Sequence, residues 1–264
     1  MANGVSSARE AALYVLARCR RFDAWSQQTL SAAAEKFSLD ERDAALCTKL
    51  CLDVLQNAAL CDYYIGCYSS VPVSKIEPRL LDILRLGVCQ LLFMDKIPVS
   101  AAVNEAVEQT KRSGSRAGGL VNAVLRRIAE NRNDLPKIPN GGTAQELSIR
   151  FSHPLWLCER MVSTLGYDGA QAFFAANNRV PQLTLSVNTR YGDAEALAAR
   201  LSSAGVRAHV SPLCPVSVCV ESEGNAAALP GFAAGEFFVQ DAAAAMSVLC
   251  AAPQKGMRVL DACS

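Results

Sequence analysis

Three groups of residues in this 264-residue chain have types and spacings that could do chemistry. The first is the closing run Gly256-Met-Arg-Val-Leu-Asp-Ala-Cys-Ser264, where apolar Val259 and Leu260 lead to the carboxylate of Asp261 and then to small residues. That order suits a first parallel strand entering a ligand loop, where backbone must come close to a bound nucleotide. A parallel strand needs a crossover of roughly a dozen residues before its neighbour can pair. None follows, so the run is expected to open a longer ligand-binding domain. Cys263 and Ser264 would stand at its entrance, Asp261 would support the turn, and Gln240 and Asp241, at an expected helix start, would face the same crevice.

The second group is Lys111, Arg112, Arg116, Arg126 and Arg127, a basic stretch with no acid between its members. It reads either as a footprint for a polyanion or as an ordinary solvated helix face. The third is a set of eleven cysteines with no Cys-x-x-Cys pair, in a chain with only two histidines, His153 and His209. Cys47 and Cys51 lie four apart on one helical face, with Cys61 and Cys67 beyond them. Zinc from such a set is conceivable, but structural zinc comes with tight Cys pairs, so buried thiols are the reading adopted and no metal is expected.

Composition sets the frame for these groups. Hydrophobic residues make up 51%, charged residues 19% and aromatics 6%, which suits an Ala- and Leu-rich protein with a well-filled core. The net charge of +1 hides an asymmetry: residues 1–140 hold 18 Lys/Arg against 15 Asp/Glu, residues 141–264 hold 8 against 10. No window reaches 18 uncharged apolar residues and no basic-then-apolar leader opens the chain, so a cytoplasmic protein without a membrane span is expected.

Residues 5–135 read as helical almost throughout. Ser7-Ala-Arg-Glu10 has the form of a capping box. Further helices are expected over 25–34, 40–64, 78–93, 101–111 and 120–130. In the last, Val121, Val124, Leu125 and Ile128 share one side, while Asn122 and Arg126 share the other. Two prolines and two glycines between Leu135 and Thr143 mark a linker. Beyond it the pattern mixes helices (154–165, 169–177, 193–203, 241–250) with strands (183–187, 206–210, 215–220, 237–239, 257–261), which suggests a small α+β sandwich. Trp156 is expected in the core, and His153 in a turn before a helix. Asn188 either ends a strand or touches a ligand, and the former is favoured.

Several segments together resemble a known family. Ser100–Arg112 followed by Gly119–Arg126 is similar to the signature of NusB-like domains. Phe151–Leu157, Pro181–Asn188 and Phe238–Ala243 then occur in the order found in the Sun/RsmB family of bacterial ribosomal RNA cytosine-C5 methyltransferases, and Val259–Cys263 is similar to the opening of that family's S-adenosylmethionine motif.

The resemblance implies an all-α NusB-like helical bundle that binds RNA (1–135), a linker (136–146), a small ferredoxin- or RRM-like α+β domain (147–235) and the truncated start of an α/β Rossmann-like methyltransferase domain (236–264). It implies S-adenosylmethionine as cofactor of the parent enzyme, held in part by Asp261, Cys263 and Ser264, and small-subunit ribosomal RNA as partner, met by Lys111, Arg112, Arg116, Arg126 and Arg127. Asn122 divides between a structural hydrogen bond, the favoured role, and RNA contact. The family's chemistry is covalent: a thiolate adds to cytosine C6 so that C5 becomes nucleophilic. In the family that cysteine lies well downstream of the cofactor motif. No catalytic residue is therefore expected in this chain, Cys263 included, and the fragment is expected to bind RNA without methylating it. The rival readings are a non-catalytic NusB-like antitermination adaptor and a methyltransferase acting on transfer RNA or protein.

Overall fold

In the computed structural model, which describes residues 7–139, 141–221 and 226–262, the chain divides into two units, Met1–Arg179 and Val180–Ser264. The first is helical: α1 (Ser7–Phe22), α2 (Ser26–Lys36), α3 (Glu41–Gln56), α4 (Ala58–Tyr68), α5 (Pro78–Leu92), α6 (Val99–Arg112), α7 (Gly118–Glu130), α8 (Ala144–Phe151) and α9 (Leu155–Asn177). α3 and α4 bend by 77° at the break between them, and no single helix among the described residues is long and apolar enough to cross a membrane.

α5 is the spine of this unit. Pro78 opens it, the Glu77 carboxylate accepts from the amides of Arg79 and Leu80, and Leu80, Ile83, Leu84, Leu86, Val88, Cys89 and Leu91 are all buried. Gly87 lets α7 come close: a Cβ there would lie 2.5 Å from Leu125 Cδ1. The predicted apolar side of α7 is the buried one, with Val121, Val124, Leu125 and Ile128 all at or below 1% exposure.

The capping box expected at Ser7 does not form. Ser7 lies within α1, and its hydroxyl donates to Asp43 Oδ2 at 2.9 Å, a charged acceptor supplied by α3. The real cap nearby is Asp40, which accepts from the Asp43 amide at 2.7 Å. The described residues of the Pro- and Gly-rich segment 135–143 carry no regular structure, and Tyr63 Oη donates to the Lys137 carbonyl at 2.6 Å.

Beyond that segment, α8 and α9 fold against each other around Leu147, Cys158, Ala170 and Phe174. α9 is broken at Gly166 (φ 72°), so the two helices expected on either side of that point are both present. The Leu60 amide donates to Ser152 Oγ at 3.2 Å and Gln56 Nε2 to the Asn178 carbonyl at 2.6 Å. These bonds tie α8 and α9 to the helices before them within the first unit.

The second unit is a four-stranded antiparallel sheet, β1 (Leu183–Val187), β2 (Ala208–Val210), β3 (Ser217–Val220) and β4 (Phe237–Val239), in the order β2-β3-β1-β4. α10 (Ala194–Ser203), capped by Asp193, lays Leu197 and Leu201 over Leu185, Val187, Val218, Val220 and Phe237. α11 (Ala242–Ala251) follows, capped by Asp241 at the Ala243 amide.

Two expectations change here. The boundary expected at 235 falls just before β4, which pairs with β1 (Val187 opposite Phe237) and so completes this sheet. Residues 257–261, expected as a strand, form no ladder, and Val259 and Leu260 stand 72% and 87% exposed. An apolar alternation becomes a strand only where another strand exchanges hydrogen bonds with its amides and carbonyls, and among the described residues none pairs with it.

Filling the contact at Gly87 should be costly. Gly87→Val is expected to destabilise the chain by about 1–3 kcal/mol through overpacking against Leu125. A shift of the urea midpoint with the slope unchanged is the expected signature, and an unshifted midpoint would show that α7 can move away freely.

Candidate nucleic-acid interface

α6 and α7 bring the basic stretch together as a helix, a turn and a second helix. α6 buries Ala102, Val103, Ala106, Gln109 and Thr110, so its polar side looks outward. Gly114 (φ 76°) lets the chain reverse, and Ser115 Oγ accepts from the Ala117 amide at 3.2 Å just before α7 begins. Lys111 and Arg112 end α6, Arg116 sits in the turn, and Arg126 and Arg127 stand on the outer side of α7; all five are exposed.

They are not equivalent. Lys111 Nζ pairs with Glu108 Oε1 at 2.6 Å across one helical turn, so part of its charge is answered locally. Arg126 Nε donates to Asn122 Oδ1 at 3.0 Å. Through that bond Asn122 steers the guanidinium along α7. Arg127 leaves its charge to solvent while its carbonyl accepts from the Asn131 amide and side chain, closing the helix.

Arg126 also lines an open groove of about 570 Å³ between the two helices, with Val99, Ser100, Val103, Asn104, Ala129 and Glu130. Ser100 and Asn104 were passed over by the sequence reading. Their signal was present, two small polar residues four apart on α6 beside the basic stretch. The groove offers a guanidinium, a hydroxyl and an amide above an apolar floor, a mixture suited to phosphate and sugar contacts.

The other expected sites are placed as follows. Asp261 is exposed in a segment without strand pairing, and Cys263 and Ser264 lie outside the described residues. Gln240 donates its amide to the Thr184 carbonyl at 3.2 Å, extending the β4 ladder, and Asp241 is committed to capping α11.

His153 bridges Phe151 O (2.8 Å) and Asn177 Nδ2 (2.9 Å) and lies 4.6 Å from the Phe174 ring centre, fixing the turn before α9. Trp156, expected in the core, is 65% exposed, because the inward positions of this helix go to Cys158 and Phe174. Asn188 ends β1 by donating to the Gly235 carbonyl at 2.8 Å and accepting from the Arg190 amide.

Among the ten cysteines described, Cys47, Cys51, Cys61, Cys89, Cys158, Cys214 and Cys219 are buried thiols. Cys61 and Cys89 approach to 3.6 Å between sulfurs. The hydrogen bond with Cys61, followed by burial, pushes the Cys89 thiol well up, which keeps it protonated and inert. Among the described residues no three His, Cys, Asp or Glu side chains gather as metal ligands.

Comparison with known proteins agrees with this architecture. The NusB family profile matches residues 6–130, and that of the Methyltr_RsmF/B-like, ferredoxin-like domain matches residues 153–227. The ribosomal RNA small subunit methyltransferase B of Xylella fastidiosa is 33% identical over 90% of this chain and 54% of its own length. The probable ribosomal RNA small subunit methyltransferase B of Bacillus subtilis is 28% identical over 98% of this chain and 58% of its own. The chain thus spans little more than half the length of these curated relatives. The crystal structure of PH0851 shares the fold, with a TM-score of 0.64 and 22% identity over 97% of this chain and 57% of that one.

Thiol mapping checks the burial pattern. Under native conditions a soluble thiol reagent should modify Cys67 and Cys250 quickly and the seven buried thiols only after denaturation, as read by peptide mass spectrometry. Fast native labelling of Cys61 or Cys89 would mean that the helical core opens far more readily than its packing implies. This chain thus joins a NusB family domain to an RsmF/B-like, ferredoxin-like domain and is homologous over nearly its full length to proteins named ribosomal RNA small subunit methyltransferase B.

Proposed function

We propose that this chain is the RNA-binding front of a small-subunit ribosomal RNA methyltransferase of the cytoplasm. The observation that carries the reading is the continuous match to ribosomal RNA small subunit methyltransferase B relatives across both units. The exposed arginines of α7 and the mixed groove beside them supply the chemistry that a ribosomal RNA segment would meet. Lys111, Arg112 and Arg116 extend that surface toward neighbouring phosphates. The matched second domain argues against a free-standing adaptor, for which the helical unit alone would suffice.

The parent reaction is, in this reading, methyl transfer from S-adenosylmethionine to cytosine C5, with a cysteine adduct at C6. Residues 240–264, beyond the sheet that β4 completes, would belong to the start of its catalytic domain. This chain's own residues would take no chemical step: they hold RNA and orient it. Most of its described thiols are buried.

Binding to fluorescent small-subunit ribosomal RNA hairpins, with transfer RNA as competitor, tests the assignment. Arg126→Ala with Arg127→Ala should lower affinity for every hairpin and reduce the slope of log K against log salt by roughly one to two. An unchanged slope would remove this surface from the interface, and equal competition by transfer RNA would count against a ribosomal target. Calorimetry of the 264-residue chain with S-adenosylmethionine is expected to show no saturable heat at micromolar concentrations. Saturable binding would overturn the assignment of this chain as a non-catalytic part.

A further inference from the structure

A second surface of the helical unit, distant in sequence from the basic stretch, carries groups that the proposed function leaves unused. It lies where α1 ends and α2 begins, along Arg18-Cys-Arg-Arg-Phe-Asp-Ala-Trp25. Trp25 is 80% exposed and Phe22 64%, high values for rings of this size on a folded surface. The Arg18 guanidinium carbon lies 4.8 Å from the Phe22 ring centre, holding one face of that ring under a positive charge.

On the adjoining side of α1 there is a cleft of about 290 Å³ lined by Glu10, Tyr14, Arg20, Arg21, Phe37 and Arg79. Its aromatic wall is Tyr14 edge-on to Phe37 at 5.8 Å, and Lys36 Nζ sits 4.0 Å over the Tyr14 ring. Two of its cations are answered by acids, Arg20 by Asp82 at 2.9 Å and Arg79 by Glu10 at 3.7 Å. Arg18, Arg21 and Lys36 form no ion pair among the described residues. Asp23 is the acid of the turn itself.

We propose that this α1–α2 corner is a second RNA contact, which receives a single-stranded segment by stacking bases on Phe22 and Trp25 while Arg18, Arg21 and Lys36 hold its phosphates. The inference rests on the RNA-binding reading above and adds a site and a substrate form to it. Rings interleaved with unpaired cations suit unstacked bases and their backbone. Duplex RNA hides its base faces in the stack and could use only the charges. A protein partner would sooner call for a contiguous apolar patch, whereas here each ring is bordered by Arg18, Arg21, Asp23, Gln27 and Gln28, all exposed.

The test uses the 264-residue chain with Trp156→Phe, which leaves Trp25 as its single tryptophan. A fluorescein-labelled 12-nucleotide oligouridine and a blunt 12-base-pair RNA duplex are the probes. The single strand should quench Trp25 emission in step with the rise in anisotropy, and the duplex should not. Phe22→Ala and Trp25→Ala should each weaken single-strand binding roughly 5- to 100-fold while duplex binding holds. Phe22→Tyr and Trp25→Phe should restore most of the loss, and unchanged thermal melting shows that folding is intact. If the chain binds single strands, with Arg126 and Arg127 required, but Trp25 emission and the alanine variants are unaffected, this site is overturned while the proposed function stands. If neither RNA binds, both fall together.

Discussion

The helical unit depends on how α5 can be buried along nearly its whole length while still carrying charge and polarity inside. Asp82 is 3% exposed, and burial pushes its carboxyl above the usual carboxylate range even though Arg20 and Arg85 draw it down. Arg20 reaches it at 2.9 Å and Arg85 at 3.4 Å, and Arg85 is fixed in turn by Asp62 at 2.7 Å. About two helical turns beyond Asp82, Gln90 accepts from Arg9 Nε at 2.7 Å and donates to the Leu86 carbonyl. Such a network does little for stability compared with apolar filling, but losing one partner strands the others. Its effect is to fix the register of α1 and α4 against α5.

Both of the surfaces proposed to meet RNA inherit their geometry from that spine. α7 lies where Gly87 admits Leu125, and with its inner side fixed, Asn122, Arg126 and Arg127 must look outward. α1 is fixed by Arg9 and Arg20, two of its own basic residues turned inward, which leaves Arg18, Arg21 and Phe22 at its exposed end. The same helix thus spends some of its arginines on architecture and keeps others for solvent.

Much of this was legible in the sequence because it follows from periodicity. The apolar side of α7, the strands at 183–187 and 237–239, and the break between the two helices of α9 all came from spacing or from glycine, and all are present. What spacing could not reveal was long-range partnership. Ser7 belonged to Asp43, 36 residues away, rather than to its own helix start. Trp156 looked like core because it is large, yet the inward positions were already taken. Residues 257–261 have the pattern of a strand and lack the neighbour that would make them one. The candidate interface was half legible: its charges were visible in the chain, whereas the pairing of Lys111 with Glu108 and the groove that includes Ser100 and Asn104 needed the two helices side by side.

The order β2-β3-β1-β4 has a consequence for biosynthesis. β1 is central, so neither of its flanks is covered until residues 217–220 and then 237–239 have emerged from the ribosome. The main helical core closes with Ile128, more than a hundred residues earlier. Vectorial synthesis therefore leaves Leu183–Val187 waiting as an uncovered β segment after the helical unit has been completed. Nascent-chain chaperones would find their longest window of engagement on this strand.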